Sequence, residues 1–529
     1  MATTLKTSFG EFRGKAGDGV VQYLGVKYAN LKDRLAAPTE IEQYGSEVVD
    51  ATQFGPRVIS AESCEFEQSI LIQQKIDTPK APPMSGLDCL NLNITVPVNS
   101  SDKPLPVMVF IHGGGFIIGS NWWPHYDPAL LVKHSVQNGT PIIAINISYR
   151  LAVLGGLTSE ELRNAGYAGN NSLRDQRCAL KWIKNHIAGF GGDPDNVTAS
   201  GESAGAASVL MHLFSKEPLF KRAISMSGTP TFLRPLPLKA TELAYQTMMK
   251  QLGLENASVE QRIEHLLTVD PDELVSKTPM MLPFMPFIDG DIMPEALSFS
   301  KAGQFEEILP GTKWCTELTI GDCQHDGTVF GYMGLLDRKS GIASALTTSF
   351  TKNLPSLGAA EAILQAYNIS SSTSDDDALQ SIYNLVTDIC YYLPAQTFAE
   401  SFPGKSFYFQ FNELNPWDGL FKGHSTHMLD AAFVFQNYND KLEGEARQVA
   451  ITLANDFIKF INGVAPWKEY EKSTGVAKTF GPSTSSVSGL VEQNGWGNAR
   501  RDVLFRLKEE GKIDFDELHA AWNLFLAGN

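Results

Sequence analysis

The sequence predicts an α/β protein: a mostly parallel central sheet flanked by helices, with a small antiparallel edge at the N-terminus. Three observations predict it. Continuous apolar runs, Val107–Ile111 and Pro141–Tyr149, have the character of strands buried on both faces. Strand-like runs alternate with helix-favouring stretches, which implies parallel strands joined by crossovers. Finally, the run from Asn196 ends in Gly201-Glu202-Ser203-Ala204-Gly205 and passes directly into the Ala-rich segment Ala206–Leu213. That is strand, sharp turn and helix, with a serine at the apex.

In chain order, Ser8–Gly14 and Val20–Tyr28 suggest the antiparallel edge. Asp175–Ile187 reads as a helix with Ala179, Leu180, Trp182 and Ile183 on its apolar face. Beyond the serine, Arg222–Ser227, Thr316–Ile320 and Ser406–Phe411 repeat a strand-then-loop signature. The residues Ala446, Val449, Ala450, Leu453, Phe457, Phe460 and Ile461 follow helical spacing, and Gly463 supplies the stop. Ser370–Asp377 and Pro482–Ser486 are polar and loop-like, and sequons such as Asn99-Ser-Ser101 occur.

Large α/β enzymes often run as one unit, so the 529 residues are expected to form a single domain, 1–529. With 43% hydrophobic and 19% charged residues, 45 Gly and 28 Pro, the chain suits a globular protein with many tight turns. A net charge of −16 argues against nucleic acid or an anionic membrane surface as partner. No apolar run approaches the ~18 residues of a membrane span. The N-terminus lacks the basic-then-apolar pattern of a secretory signal, so a cytoplasmic or otherwise intracellular location is expected, with secretion only if a signal was removed. No pair among the six cysteines has metal-ligand spacing, and no metal or cofactor is expected. The oligomeric state is left open.

A serine hydroxyl needs a base, the base needs an orienting acid, and the tetrahedral oxyanion needs donors already in place. His112-Gly-Gly-Gly-Phe116 follows a buried strand, and its glycines let N–H groups aim inward. Gly114 and Gly115, with Ala204 from the turn, are the candidate oxyanion donors. For the base, Gly423–Phe435 offers His424 and His427. For the acid, Gly321–Phe330 offers Asp322 and Asp326. The residues alone leave both choices open. Their order, Ser, Asp, His, is the one that the α/β-hydrolase architecture requires.

Further motifs carry a likeness. Tyr23–Ala29, Asp88-Cys-Leu-Asn-Leu-Asn93, Asn146–Leu151, Asp175-Gln176, Phe190–Pro194, Gly201–Gly205 and Ser227-Gly228 run over nearly the whole chain. Together they resemble the type-B carboxylesterase/cholinesterase family of α/β-hydrolases, and look closest to its fungal members. The resemblance implies a histidine six residues before a Phe-x-Phe end with an acid three after it, a pattern that His427, Asp430 and Phe433–Phe435 fit. It implies an acid directly before a glycine, here Asp326 before Gly327, where most relatives have Glu. His325 stands where relatives usually carry an acidic residue, and Ala152 and Gly156 also depart from the usual pattern. A disulfide between Cys64 and Cys89 is implied by the same resemblance.

The expected function is therefore ester hydrolysis through an acyl-enzyme, with Ser203, Asp326 and His427 as the triad and a small-molecule ester as substrate. Acyl transfer, lactone or thioester chemistry would use the same triad, and a non-catalytic interaction protein is the remote alternative. Aromatic residues near the motifs, Phe116, Trp122, Trp123 and Phe330, with Met280, Met281, Phe284 and Met285, are candidates to line an apolar pocket. No charged cluster suggests a cationic alcohol.

Overall fold

The computed structural model describes residues 2–98, 103–471, 475–483, 488–492 and 499–529. Asn99–Ser101 and the end of Pro482–Ser486 lie outside the described residues.

One 13-stranded sheet organises the described residues. From Ile143–Ile147 it runs through Leu105–Ile111, Gly192–Glu202, Arg222–Met226, Glu317–Cys323, Lys405–Phe411 and Val476–Phe480, every neighbour parallel. Parallel strands need crossover connections, and helices on both faces supply them. The antiparallel edge is formed by Ala2–Lys6, Glu11–Ala16, Val20–Lys27 and Asn91–Pro97, the last antiparallel to Ile143–Ile147. Ser488–Glu492 closes the other side, antiparallel to Val476–Phe480.

The apolar runs explain the burial. In Leu105–Ile111, Val107, Val109 and Ile111 enter the core on one face of the sheet, and Met108 and Phe110 enter the core on the other. A period of two with apolar residues at both phases leaves no face for water. The helix Asn171–His186 covers one face with Ala179, Leu180, Trp182 and Ile183, all fully buried. Each such large apolar side chain contributes about 1.5–3 kcal/mol of burial energy. On the other face the helix Gly444–Ile461 buries Val449, Ala450, Leu453 and Phe457.

Three expectations are corrected. The stretch Ser8–Gly14 is not one strand: Thr7 turns the chain, its hydroxyl donating to the Gly10 carbonyl at 2.8 Å, and pairing begins at Glu11. Ser370–Asp377 is only partly a loop. The Ser374 hydroxyl accepts from the Asp377 N–H, and the three aspartates form the first turn of the helix Asp375–Thr387, where negative charge meets unpaired N–H groups. Cys64 and Cys89 are not joined; each is a buried free thiol. The two pack in separate core clusters: Cys64 lies with Trp122 and Phe110, its sulfur accepting from Gln68, while Cys89 lies with Ile145 and Trp182. Burial pushes both thiols up to about 12.

Candidate active site

The parallel strands end in register. Glu202 pairs with Met226, Met226 with Gly321, and Gly321 with Phe409. The loops that follow Glu202, Met226, Cys323 and Phe411 therefore emerge side by side at the carboxyl edge of the sheet. They carry Ser203, Ser227, Asp326 and His427.

Ser203 sits between the strand Gly192–Glu202 and the helix Ala204–Met211 with φ 54° and ψ −121°. A non-glycine residue held there costs of order 1–3 kcal/mol, so its surroundings must enforce it. They do so through backbone contact. A Cβ on Gly205 would lie 2.0 Å from the Ile111 carbonyl oxygen, and one on Gly228 1.9 Å from that of Ser203. Ser203 N–H donates to the Met226 carbonyl at 2.9 Å, and its own carbonyl accepts from Ala207 N–H at 3.0 Å. Ser203 alone of the turn Gly201–Gly205 stays partly exposed.

The glycine loop presses on the serine from the neighbouring strand. A Cβ on Gly113 would meet the Glu202 carboxylate at 2.5 Å and the Ser203 Cβ at 3.0 Å. Gly114 and Gly115 have φ of 94° and 64°, and Phe116 follows at 63°. These conformations make the loop a tight turn, the kind of backbone whose successive N–H groups can form an anion-binding concavity. Ala204 adds the first N–H of the helix beside Ser203.

Of the two histidines, His427 faces an acid. Its Nδ1 lies 2.7 Å from Asp326 Oδ1, and Asp326 Oδ2 accepts from Cys323 N–H at 2.8 Å and from the Ser227 hydroxyl at 2.9 Å. With the carboxylate held by two donors, the His427 ring presents its Nδ1 proton to Asp326 and turns Nε2 the other way. Glu202 Oε1 lies 3.1 Å from that Nε2, at ion-pair distance without hydrogen-bond alignment. Burial presses the imidazole toward neutrality, but Glu202, Asp326 and Asp430 outweigh it and raise the pKa to about 9. Glu202 itself is driven well above the usual carboxylate range by burial, His427 opposing.

The alternatives lie elsewhere. His424 is half-buried, with Nδ1 near the Lys422 carbonyl and its ring 4.9 Å from that of His325. Asp322 points away from the histidines, to Arg501 at 2.8 Å and to the Tyr408 hydroxyl at 3.0 Å.

The model of the carboxylesterase family matches residues 1–487. The chain belongs to the carboxylesterase family. Para-nitrobenzyl esterase of Bacillus subtilis is 27% identical over 91% of each chain. Lipase 1 of Yarrowia lipolytica is 37% identical over 43% of this chain, a match that spans 46% of that lipase. The solved structure of a PNB esterase superposes with a TM-score of 0.75 at 25% identity, covering 95% of this chain and 99% of that one. The mostly parallel sheet is thus that of an α/β-hydrolase, and the protein is a carboxylic ester hydrolase.

Within this carboxylesterase the aromatic candidates are divided. Phe116 is fully buried at the turn of the glycine loop, its carbonyl accepting from Ala152 N–H at 2.8 Å. Trp123 is core, packed on His125 and Tyr126. Trp122 borders a surface cavity with Cys64, Gln68 and Ile76. Phe330 packs on Trp522 and Tyr391, and Tyr391 in turn lies 5.3 Å from the His427 ring. Met280 borders an apolar cavity together with Ile117 of the glycine loop and Ala152.

Glu202, the residue directly before the serine, and Ser227, in the Ser227-Gly228 motif, were not among the sequence candidates. Their signal was a position at a strand end beside a candidate residue. Their burial against His427 and Asp326 required the sheet register.

Proposed function

We propose that this carboxylesterase works through an acyl-enzyme on Ser203. The Ser203 hydroxyl attacks the ester carbonyl while His427 Nε2 accepts its proton. His427 returns that proton to the leaving alcohol, and water releases the acyl group by the same steps with the roles exchanged. Asp326 holds the Nδ1 tautomer and stabilises the imidazolium. The N–H groups of Gly114, Gly115 and Ala204 take the negative charge that develops on the carbonyl oxygen.

One observation carries the reading: the 2.7 Å contact between His427 Nδ1 and an Asp326 carboxylate anchored by two further donors, at the strand ends that present Ser203. Nothing in a purely structural role calls for a serine in a strained conformation at the same edge.

The aromatic rings beside the base, Tyr391 at 5.3 Å from the His427 ring and Phe330 packed on Tyr391, support a substrate with an apolar acyl or alcohol part. The name of the para-nitrobenzyl esterase relative makes aromatic esters a natural first panel. A series of p-nitrophenyl esters of increasing chain length tests the reading beside Ser203→Ala, with an organophosphate label located by mass spectrometry. Hydrolysis and labelling that both vanish in Ser203→Ala are expected. Full hydrolysis by that variant would overturn the assignment.

A further inference from the structure

Two arginines from the far end of the chain reach the loop that carries Asp326. Arg501 is fully buried and forks onto Asp322, with Nη1 donating to Oδ1 at 3.1 Å and Nη2 lying 2.8 Å from Oδ2. The same Nη2 donates to the Cys323 carbonyl at 3.2 Å. Arg500 donates to the carbonyl of the next residue, Gln324. Behind them Asp388 lies 3.8 Å from Arg501 Nε and 3.5 Å from Arg500 Nε, and accepts from the Tyr367 hydroxyl at 2.8 Å.

We infer that the buried Arg501–Asp322 pair, backed by Asp388, is a positioning device that aims the Asp326 carboxylate at His427. This inference rests on the esterase reading above. Cys323 is the mechanical link. Its carbonyl is gripped by Arg501, and its N–H is one of the two donors that hold Asp326 Oδ2. A shift of that peptide moves the carboxylate directly. The loop is pinned on its other side by Gln324 N–H to the Phe411 carbonyl and His325 N–H to the Ser425 carbonyl, and Gly327 N–H donates to Thr387, the residue before Asp388. The Asp326 loop is thus spanned between the His427 loop and the Arg501 cluster.

Stability alone is a poor explanation for such a cluster. Removing two charges from water is costly, and a buried pair replaced by apolar residues of the same size is often neutral or stabilising. What a forked guanidinium provides is direction, because its donors are set in one plane. Asp322 also depends on its partner: burial pushes its pKa up to about 7, Arg501 holds it down, and Asp326 pushes it further up. The Arg501 ring contact, 4.8 Å above Tyr392, leaves the guanidinium little room to turn.

The test uses the full chain with Arg501→Lys, Arg501→Met, and the double variant Arg501→Met with Asp322→Leu, which buries no lone charge. The downfield proton resonance of the His427 Nδ1–H bond to Asp326 is read on the resting protein, and kcat, KM and the pH profile are read on p-nitrophenyl esters. The double variant is expected to melt near the wild-type temperature, to lose roughly 10- to 100-fold in kcat with KM unchanged, and to shift or lose the downfield resonance. The acid limb of its pH profile should move to lower pH, because His427 loses part of its carboxylate support. Arg501→Lys should recover part of the rate. A folded double variant with wild-type kcat, pH profile and resonance would overturn the inference. A wild-type protein that neither hydrolyses esters nor labels at Ser203 would sink the esterase reading instead, and the resonance would still decide the clamp.

Discussion

His427 is surrounded by carboxylates, and they decide when it works. A base must be neutral to accept a proton, and Glu202, Asp326 and Asp430 hold the imidazole protonated up to about pH 9 against the opposing pull of burial. The rate constant kcat/KM should therefore climb with pH to about 9, and Glu202→Gln should move that limb to lower pH, as steady-state profiles would reveal. The same shift affects stability. A pKa raised in the folded state stabilises fully below the unfolded value and is lost as pH rises through the folded one. His427 contributes such a loss toward pH 9, and Asp430, raised to about 7 by burial and by Asp326, contributes one at lower pH. Calorimetry should find the melting temperature falling from pH 6 to 10, with the lower part of the fall absent in Asp430→Asn. For the triad itself, Asp326→Asn should cost about 10⁴-fold in kcat by favouring the wrong tautomer. His427→Ala should cost roughly 10³-fold or more. His424→Ala should cost far less, since its ring meets His325 and Lys422 instead of an acid.

At the scale of an element, the turn at Ser203 works because strand, helix and neighbouring loop approach closer than a methyl group allows. Gly228 is the sharpest case, its missing Cβ falling 1.9 Å from the Ser203 carbonyl oxygen. Gly228→Ala must displace either backbone, and kcat on an aryl ester should fall by about 100-fold, the cost of a misplacement near 1 Å. Gly139 supplies the contrast. It has φ 71° but open space around its Cβ position, so Gly139→Ala should lose only about 1–2 kcal/mol, by denaturant titration, with kcat unchanged.

Across the whole molecule, one buried ion pair ties distant segments to the sheet. Arg150 donates to both Asp175 oxygens, at 2.8 and 2.7 Å, and to the carbonyls of Arg34 and Ala36. Arg150→Met leaves Asp175 buried without its cation, and urea unfolding should show a loss of about 3–5 kcal/mol. The thiols give an opposite expectation. With Cys64 and Cys89 in separate clusters, added reductant should leave the melting temperature unchanged, and all six cysteines should react with a thiol reagent in denaturant.

The sequence by itself determined what is local. Two-sided apolar runs can only be interior strands, and Gly201–Gly205 between a strand and an Ala-rich helix leaves few conformations besides a tight elbow. The glycine loop and a serine, aspartate, histidine order were legible in the chain, whereas the choice of Asp326 over Asp322 and of His427 over His424 came only with the family likeness. What only the tertiary structure decided is which groups meet. Asp326 and His427 are 101 residues apart, and their contact depends on strand ends aligned in register. The same register buries Glu202 against His427 and turns Asp322 to Arg501, 179 residues downstream. The family likeness likewise implied a bond between Cys64 and Cys89, which packing leaves as free thiols in separate core clusters. Backbone preferences act over a few residues, whereas side-chain partners are chosen by where the sheet delivers them.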